Sequence, residues 1–146
     1  MNLSNCLFDT QVYIAYDTGR FKPGWLSAVV LQELTVGASG SKELKAHQTA
    51  LRDYQSRGRL IVPDAEAWYL AGRTLNVYLS DLSRADCQQR RRPGLDHGKK
   101  QNLIRDVLIA VSAKRSGVTV ISDNDDFPTI LRHYKFSLLR AKEFFA

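Results

Sequence analysis

Cysteine is scarce. Only Cys6 and Cys87 occur, far apart and in no C-x-x-C or zinc-like spacing. That argues against a disulfide framework or a thiolate metal site, and both are expected to be reduced structural thiols. Histidine is equally thin. His47, His97 and His133 are scattered and form no H-x-x-x-H or H-E-x-x-H pattern, which speaks against an imidazole zinc site. There is no G-x-S-x-G elbow and no phosphate-binding P-loop. No apolar run approaches the roughly 20 residues needed to cross a bilayer. The N-terminus lacks the basic start and long apolar stretch of a secretory signal. No internal repeat or linker is visible. The expectation is a cytoplasmic protein without membrane attachment, formed by a single domain over residues 1–146.

Positive charge is in excess. The net charge is +6 and the pI about 9.5. A basic protein favours polyanions such as nucleic acid, or an acidic protein partner. Positive residues crowd the stretch from Arg84 to Lys100. Arg90, Arg91, Arg92, Lys99 and Lys100 are candidates to grip a phosphate backbone, or they form a solvated charged loop.

Along the chain, short apolar runs alternate with helical patterns. "LSNCLFD" reads as a strand ending at Asp9, and "TQVYIAY" as a helix capped by Asp9 or Thr10. "TGRFKPG" is loop, and "WLSAVVLQELTVGAS" starts as strand and turns helical after Ser27. "SKELKAHQTALRDYQSRG" is helical until Gly58. "RLIVP" is a strand, and "DAEAWYLAGRTLNVYLSDL" a helix with Asp64 as N-cap. Its apolar stripe is Trp68, Ala71, Leu75, Tyr78 and Leu79. "SRADCQQRRRPGLDHGKK" breaks the period and reads as loop or frayed helix end. "QNLIRDVLIAVSAKRSG" is the strongest helix, "VTVIS" a strand, "PTILRHY" a short helix, and "FSLLRAKEFFA" a last strand and tail. This alternation predicts an α/β domain with a central, mainly parallel sheet, whose ligand site lies beyond the carboxyl ends of the strands.

Acidic residues fall at telling places. Asp106 sits in mid-helix among residues that are apolar over most of the circumference, so it is expected to be buried. A buried carboxylate must pair with a cation, cap another element or bind metal. Glu33 lies mid-helix on the side of Val29, Val30, Leu34 and Gly37. Taken alone it is a surface residue, and Asp9 alone is an N-cap. "VTVISDNDDF" runs a buried strand into Asp123, Asn124, Asp125 and Asp126, more acid than a turn needs. Carboxylates converging on one point repel unless a cation sits among them. An oxygen-only donor set suits Mg²⁺ or Mn²⁺, and such a centre in a basic protein suits phosphodiester chemistry.

The stretches "FDTQVYIAY", "SAVVLQEL" and "RDVLIAVSAKRSGVTVISDNDDF", with "LIVPDAEAWYLAGRTL" between them, resemble the PIN-domain ribonucleases, in particular the VapC-type toxins of toxin–antitoxin pairs. The resemblance spans essentially the whole chain, through short motifs in the right order. It implies a PIN-like three-layer α/β/α domain. It also implies a metal-dependent RNA endonuclease that leaves a 5′-phosphate and a 3′-hydroxyl. Asp9, Glu33 and Asp106 are implied as members of the acidic centre. Asp126, before Phe127, is the preferred fourth acid, with Asp123 and Asp125 as alternatives. Ser122 and Asn124 would orient water around Mg²⁺ or Mn²⁺. A homodimer and an antitoxin whose C-terminal segment blocks the acids are implied as well. Two departures stand out: Arg105, where members often carry Asn, and a shortened acidic turn with Asn124 where many carry an acid. They leave room for a non-catalytic module that binds nucleic acid or protein. A phospho-accepting receiver domain fits poorly, because it needs an acidic pair after the first strand. Trp25, Trp68 and Tyr69 are candidate partner contacts, though core positions suit such side chains better.

Overall fold

Short buried runs set the frame in the computed structural model, which describes residues 2–88 and 97–146, with side chains over 2–82 and 97–146. The strands are β1 (Cys6–Phe8), β2 (Leu26–Ser27), β3 (Leu60–Ile61), β4 (Thr119–Ile121) and β5 (Leu138–Leu139). The helices are α1 (Thr10–Ala15), α2 (Ala28–Val36), α3 (Ser41–Ser56), α4 (Ala65–Gln88), α5 (His97–Arg115), α6 (Asp126–Leu131) and α7 (Ala141–Phe144), with 3₁₀ turns at Leu3–Asn5 and Thr18–Arg20.

All strand pairs among the described residues are parallel. β1, β4 and β5 form one sheet in that order, and β2 pairs with β3. The two ribbons meet where Trp25 N donates to Cys6 O at 3.1 Å. Gly24 makes this approach possible, since a Cβ there would lie 2.2 Å from the Ser4 carbonyl oxygen. The pleat divides the core. Leu7 and Val120 point into a cluster with α2, α4, α5 and α6. Cys6, Phe8 and Ile121 point the other way, against Val12 of α1 and Ala141, Phe144 and Phe145 at the C-terminus. A sheet covered on both faces is a three-layer α/β/α arrangement, as parallel strands require. No helix among the described residues is long and apolar enough to cross a membrane.

Helix ends follow local chemistry. Ser27 Oγ accepts from Val29 N and Val30 N and so starts α2. Gly58 and Gly117 take φ values of +66° and +68° just beyond α3 and α5, the left-handed position that ends a helix. α5 buries every residue from Asp106 to Ala113, as its nearly uniform apolarity demands.

Three expectations need correction. Of the stretch 83–100, read as loop or frayed helix end, residues 83–88 continue α4 and residues 97–100 already belong to α5. Apolar period fails there, but Arg, Ala and Gln are good helix formers and carry the backbone on. Trp68 is outside the core at 56 % exposure, and Tyr69 is exposed too. The buried stripe of α4 is Ala67, Ala71, Thr74, Leu75 and Tyr78. α6 starts at Asp126 rather than Pro128. Pro128 fits the first turn, where no N–H is required. Arg90, Arg91 and Arg92 lie outside the described residues.

Candidate acidic centre

Phe8 pairs with Ile121, so both strands leave the sheet at the same level and deliver Asp9 and Ser122 side by side. Asp9 N donates to Ile121 O at 3.1 Å. The Asp9 carboxylate is almost wholly buried. It accepts from Thr10 N at 2.8 Å and from Ser122 Oγ at 2.9 Å. Burial pushes this carboxyl above its ordinary range, hydrogen bonds from Ser122, Thr10 and Gln11 pull it back, and the nearby Asp126 pushes it further. The N-cap reading of Asp9 is therefore correct and incomplete, since one oxygen faces the second strand.

Asp106 comes up from the middle of α5 and is 6 % exposed. Desolvation, followed by the charges of Asp9, Asp126 and Glu33, raises its carboxyl to about 8. Asp126 lies close enough to push it up both by its charge and by direct side-chain contact. No ion pair reaches Asp106 among the described residues. Its other polar neighbour is the Asn124 amide, whose Nδ2 donates to Asp106 Oδ2 at 3.1 Å.

Asn124 organises the turn. Its Oδ1 accepts from Asp126 N at 3.0 Å, and its own backbone N donates to Ser122 Oγ at 3.0 Å. Both ends of the amide are used, so its orientation is fixed by the network. An aspartate here would have aimed one more negative charge at Asp106.

The remaining aspartates of the turn face elsewhere. Asp123 accepts from the Tyr16 hydroxyl, and from Lys142 N at 3.1 Å. Although partial burial pushes Asp123 up, these bonds and the charge of Arg140 hold its carboxyl below the usual range. Asp125 is exposed and pairs with Arg140 at 2.8 Å. Side chains therefore alternate: 124 and 126 toward Asp106, 123 and 125 toward the C-terminus.

Glu33 reaches the group from α2. Thr10 Oγ1 donates to its Oε2 at 3.2 Å, while Oε1 is buried with no hydrogen-bond partner. Burial raises this carboxyl, the Thr10 bond lowers it, Asp9 raises it and the half-buried Arg105 lowers it. Thr10, which the sequence offered only as a helix cap, joins this network through Glu33, and Arg140 and Tyr16 belong to it without having been singled out. Thr10 lies inside the quoted "FDTQVYIAY"; Arg140 and Tyr16 carry no local signal. Lys99 and Lys100 are exposed in the first turn of α5. Beside Thr10 and Glu33 opens a cleft of about 810 Å³ between α1, α2 and α3, walled by Tyr13, Phe21, Leu34, His47 and Tyr54.

The donors suit a hard divalent cation in type, being carboxylates, hydroxyls and an amide. The orphaned Glu33 oxygen and the Asp106 carboxyl, raised by burial and by its acidic neighbours, both mark places where positive charge would be stabilising. Against this, no three His, Cys, Asp or Glu side chains among the described residues form a ready-made cation site. A carboxyl that burial and neighbouring acids keep protonated, as at Asp106, can give up that proton to a cation.

No protein-family model matches the chain, and no curated protein is significantly similar in sequence. Among solved structures, a chain from the crystal structure of VapBC2 from Rickettsia felis, bound to a DNA fragment from its promoter, superimposes with a TM-score of 0.46. The two are 21 % identical, over 92 % of this chain and 96 % of that one. A likeness this loose does not bear on activity. What the fold and site define directly is a parallel α/β protein with four acids gathered at the carboxyl edge of its sheet.

Proposed function

We propose that the chain is a metal-dependent RNA endonuclease of the PIN-domain class, the toxin of a toxin–antitoxin pair. The observation that carries this is Asp106. It is buried, ringed by Asp9, Glu33 and Asp126, and without a cationic partner among the described residues. Acids raised by burial and by one another, with no cation to offset them, concentrate at functional sites.

Asp9 and Asp106 would hold Mg²⁺ or Mn²⁺ directly, with Glu33 and Asp126 ordering water beside them. When bound, the ion would supply charge that offsets the negative phosphodiester and makes water more acidic. Ser122 and Thr10 fix the carboxylates of Asp9 and Glu33 through their hydroxyls. Asn124 keeps Asp106 and Asp126 in register. Lys99 and Lys100, with Arg90, Arg91 and Arg92, would grip the RNA backbone. The cleft ending at Glu33 gives an antitoxin segment a path to the acids. A homodimer and cytoplasmic residence belong to the same reading.

The test is cleavage of a labelled RNA with Mg²⁺ or Mn²⁺, with EDTA, and with Asp9→Asn and Asp106→Asn. Cleavage that EDTA and both substitutions abolish supports the proposal. Full activity in either variant removes that residue from the mechanism. One observation favours a second reading, a non-catalytic binding module: the lack of a ready-made cation site among the described residues. That module would bind RNA equally well in EDTA and never cut it. Co-purification with the product of a neighbouring reading frame, and light scattering, test the antitoxin and the homodimer.

A further inference from the structure

The acidic turn is held from behind by the C-terminal segment, and the contacts are specific. β5 pairs with β4 through Val120↔Leu138 and Ile121↔Leu139. Ser122 N extends that ladder by donating to Leu139 O at 3.1 Å. The next residue, Arg140, is only 27 % exposed and sends its two terminal nitrogens to adjacent residues of the turn. Nη2 reaches Asp125 Oδ1 at 2.8 Å and Nη1 reaches Asn124 O at 3.4 Å. Two residues on, Lys142 N donates to Asp123 Oδ1 at 3.1 Å. The other Asp123 oxygen takes the hydroxyl of Tyr16, whose ring stacks on Phe145 with centroids 4.6 Å apart. Phe144 and Phe145 in turn pack on Phe8 and Phe21. The side chains of Asp123 and Asp125 are tied to the tail, and those of Asn124 and Asp126 between and beyond them are the ones that meet Asp106.

We infer that Arg140 is a positioning residue of the acidic centre: it clamps the outward side of the turn so that Asn124 and Asp126 stay aimed at Asp106. The inference deepens the proposed metal-dependent activity and rests on it. The physical reason is rotational. Four consecutive polar residues after a strand have several turn conformations open to them. A planar guanidinium that engages a carbonyl and a carboxylate on adjacent residues fixes their relative orientation. Lysine, as a point charge, can neutralise Asp125 but cannot impose the same geometry. Arg140 touches none of the four acids of the centre, so its effect is on their aim.

The experiment compares the wild type with Arg140→Ala, Arg140→Lys and Tyr16→Phe, with Arg52→Ala as a control that loses the same charge from an exposed site on α3. Mn²⁺ is titrated by calorimetry, and cleavage of a labelled RNA is followed against Mn²⁺ and against RNA. Thermal melts report folding. Arg140→Ala is expected to melt cooperatively and to need about tenfold more Mn²⁺ for half-maximal activity, the size of effect usual for residues that orient metal ligands. KM for RNA stays unchanged, and saturating Mn²⁺ restores much of kcat. Arg140→Lys recovers only part of the Mn²⁺ affinity, and Tyr16→Phe shows a smaller shift in the same direction. Should Arg140→Ala fail to fold, the Lys and Phe variants carry the same expectation. An unchanged Mn²⁺ dependence in an active Arg140→Ala protein overturns the positioning role and leaves the nuclease intact. A raised KM at constant Mn²⁺ dependence overturns it too, by making Arg140 an RNA contact. A wild type that neither binds Mn²⁺ nor cleaves RNA removes the underlying activity and the inference with it.

Discussion

Replacing Asp106 by Asn is predicted to stabilise the metal-free protein at pH 8 and to do much less at pH 5. The folded-state carboxyl sits at about 8, above its ordinary value of 3.8. The folded protein therefore binds more protons than the unfolded chain between those values. That contribution to stability is complete below about pH 4 and is lost as pH rises toward 8. Going from pH 5 to pH 8 covers three units at about 1.4 kcal/mol each, an upper limit of about 4 kcal/mol. Rotation of the ionised carboxylate toward water relieves part of this, so about 2–3 kcal/mol is expected, or about 4–12 °C in Tm for a domain of this size. Asparagine imitates the protonated acid: its oxygen still accepts from Asn124, and its NH₂ can donate to Asp126. Urea unfolding in EDTA, followed by tryptophan fluorescence, measures both proteins at both pH values. The wild type should lose stability across the window while Asp106→Asn changes little. Equal destabilisation of the variant at both pH values, or a wild type indifferent to pH, would mean that Asp106 does not carry the extra proton.

Other outcomes follow from the same contacts. Asp126→Asn should cut RNA cleavage at least about 100-fold, whereas Asp123→Asn costs less, because only Asp126 meets Asp106. Parallel cleavage assays decide between them. Ser122→Ala removes a buried hydroxyl that serves Asp9 and Asn124 N, and should cost about 1–2 kcal/mol in a denaturation midpoint as well as lowering cleavage. Gly24→Ala, with its Cβ forced against the Ser4 carbonyl, should lower stability by about 2–3 kcal/mol in a thermal melt. Lys100→Ala should raise KM for RNA and flatten its dependence on salt, leaving kcat unchanged.

The parts of this protein that the sequence announces are those governed by local periodicity. Residues 106–113 are buried together because the helix is apolar nearly all round, and this is visible from spacing alone. Asp9 ends a strand because an apolar triplet stops there, and parallel strands place their ends on one edge. The direction of each aspartate in the turn was not legible. It is set by Arg140, Lys142 and Tyr16, which lie 15 to 107 residues away and form no pattern with it. The same holds for Thr10 and Glu33, joined across 23 residues by one hydrogen bond. Trp68 shows the converse failure: helical spacing put it on the apolar stripe, but the packed face of α4 centres one position earlier, on Ala67. The length of α4 was hidden because helix propensity carried the backbone beyond its last apolar turn.

In the proposed centre a divalent cation would displace the proton that burial and the neighbouring acids hold on Asp106. Calorimetric titration with Mn²⁺ at pH 7, repeated in buffers of different ionisation enthalpy, counts protons released on binding. About one proton per ion is expected for the wild type, and weak binding with little or no release for Asp106→Asn. Tight binding without proton release, or identical behaviour of the two proteins, would contradict it.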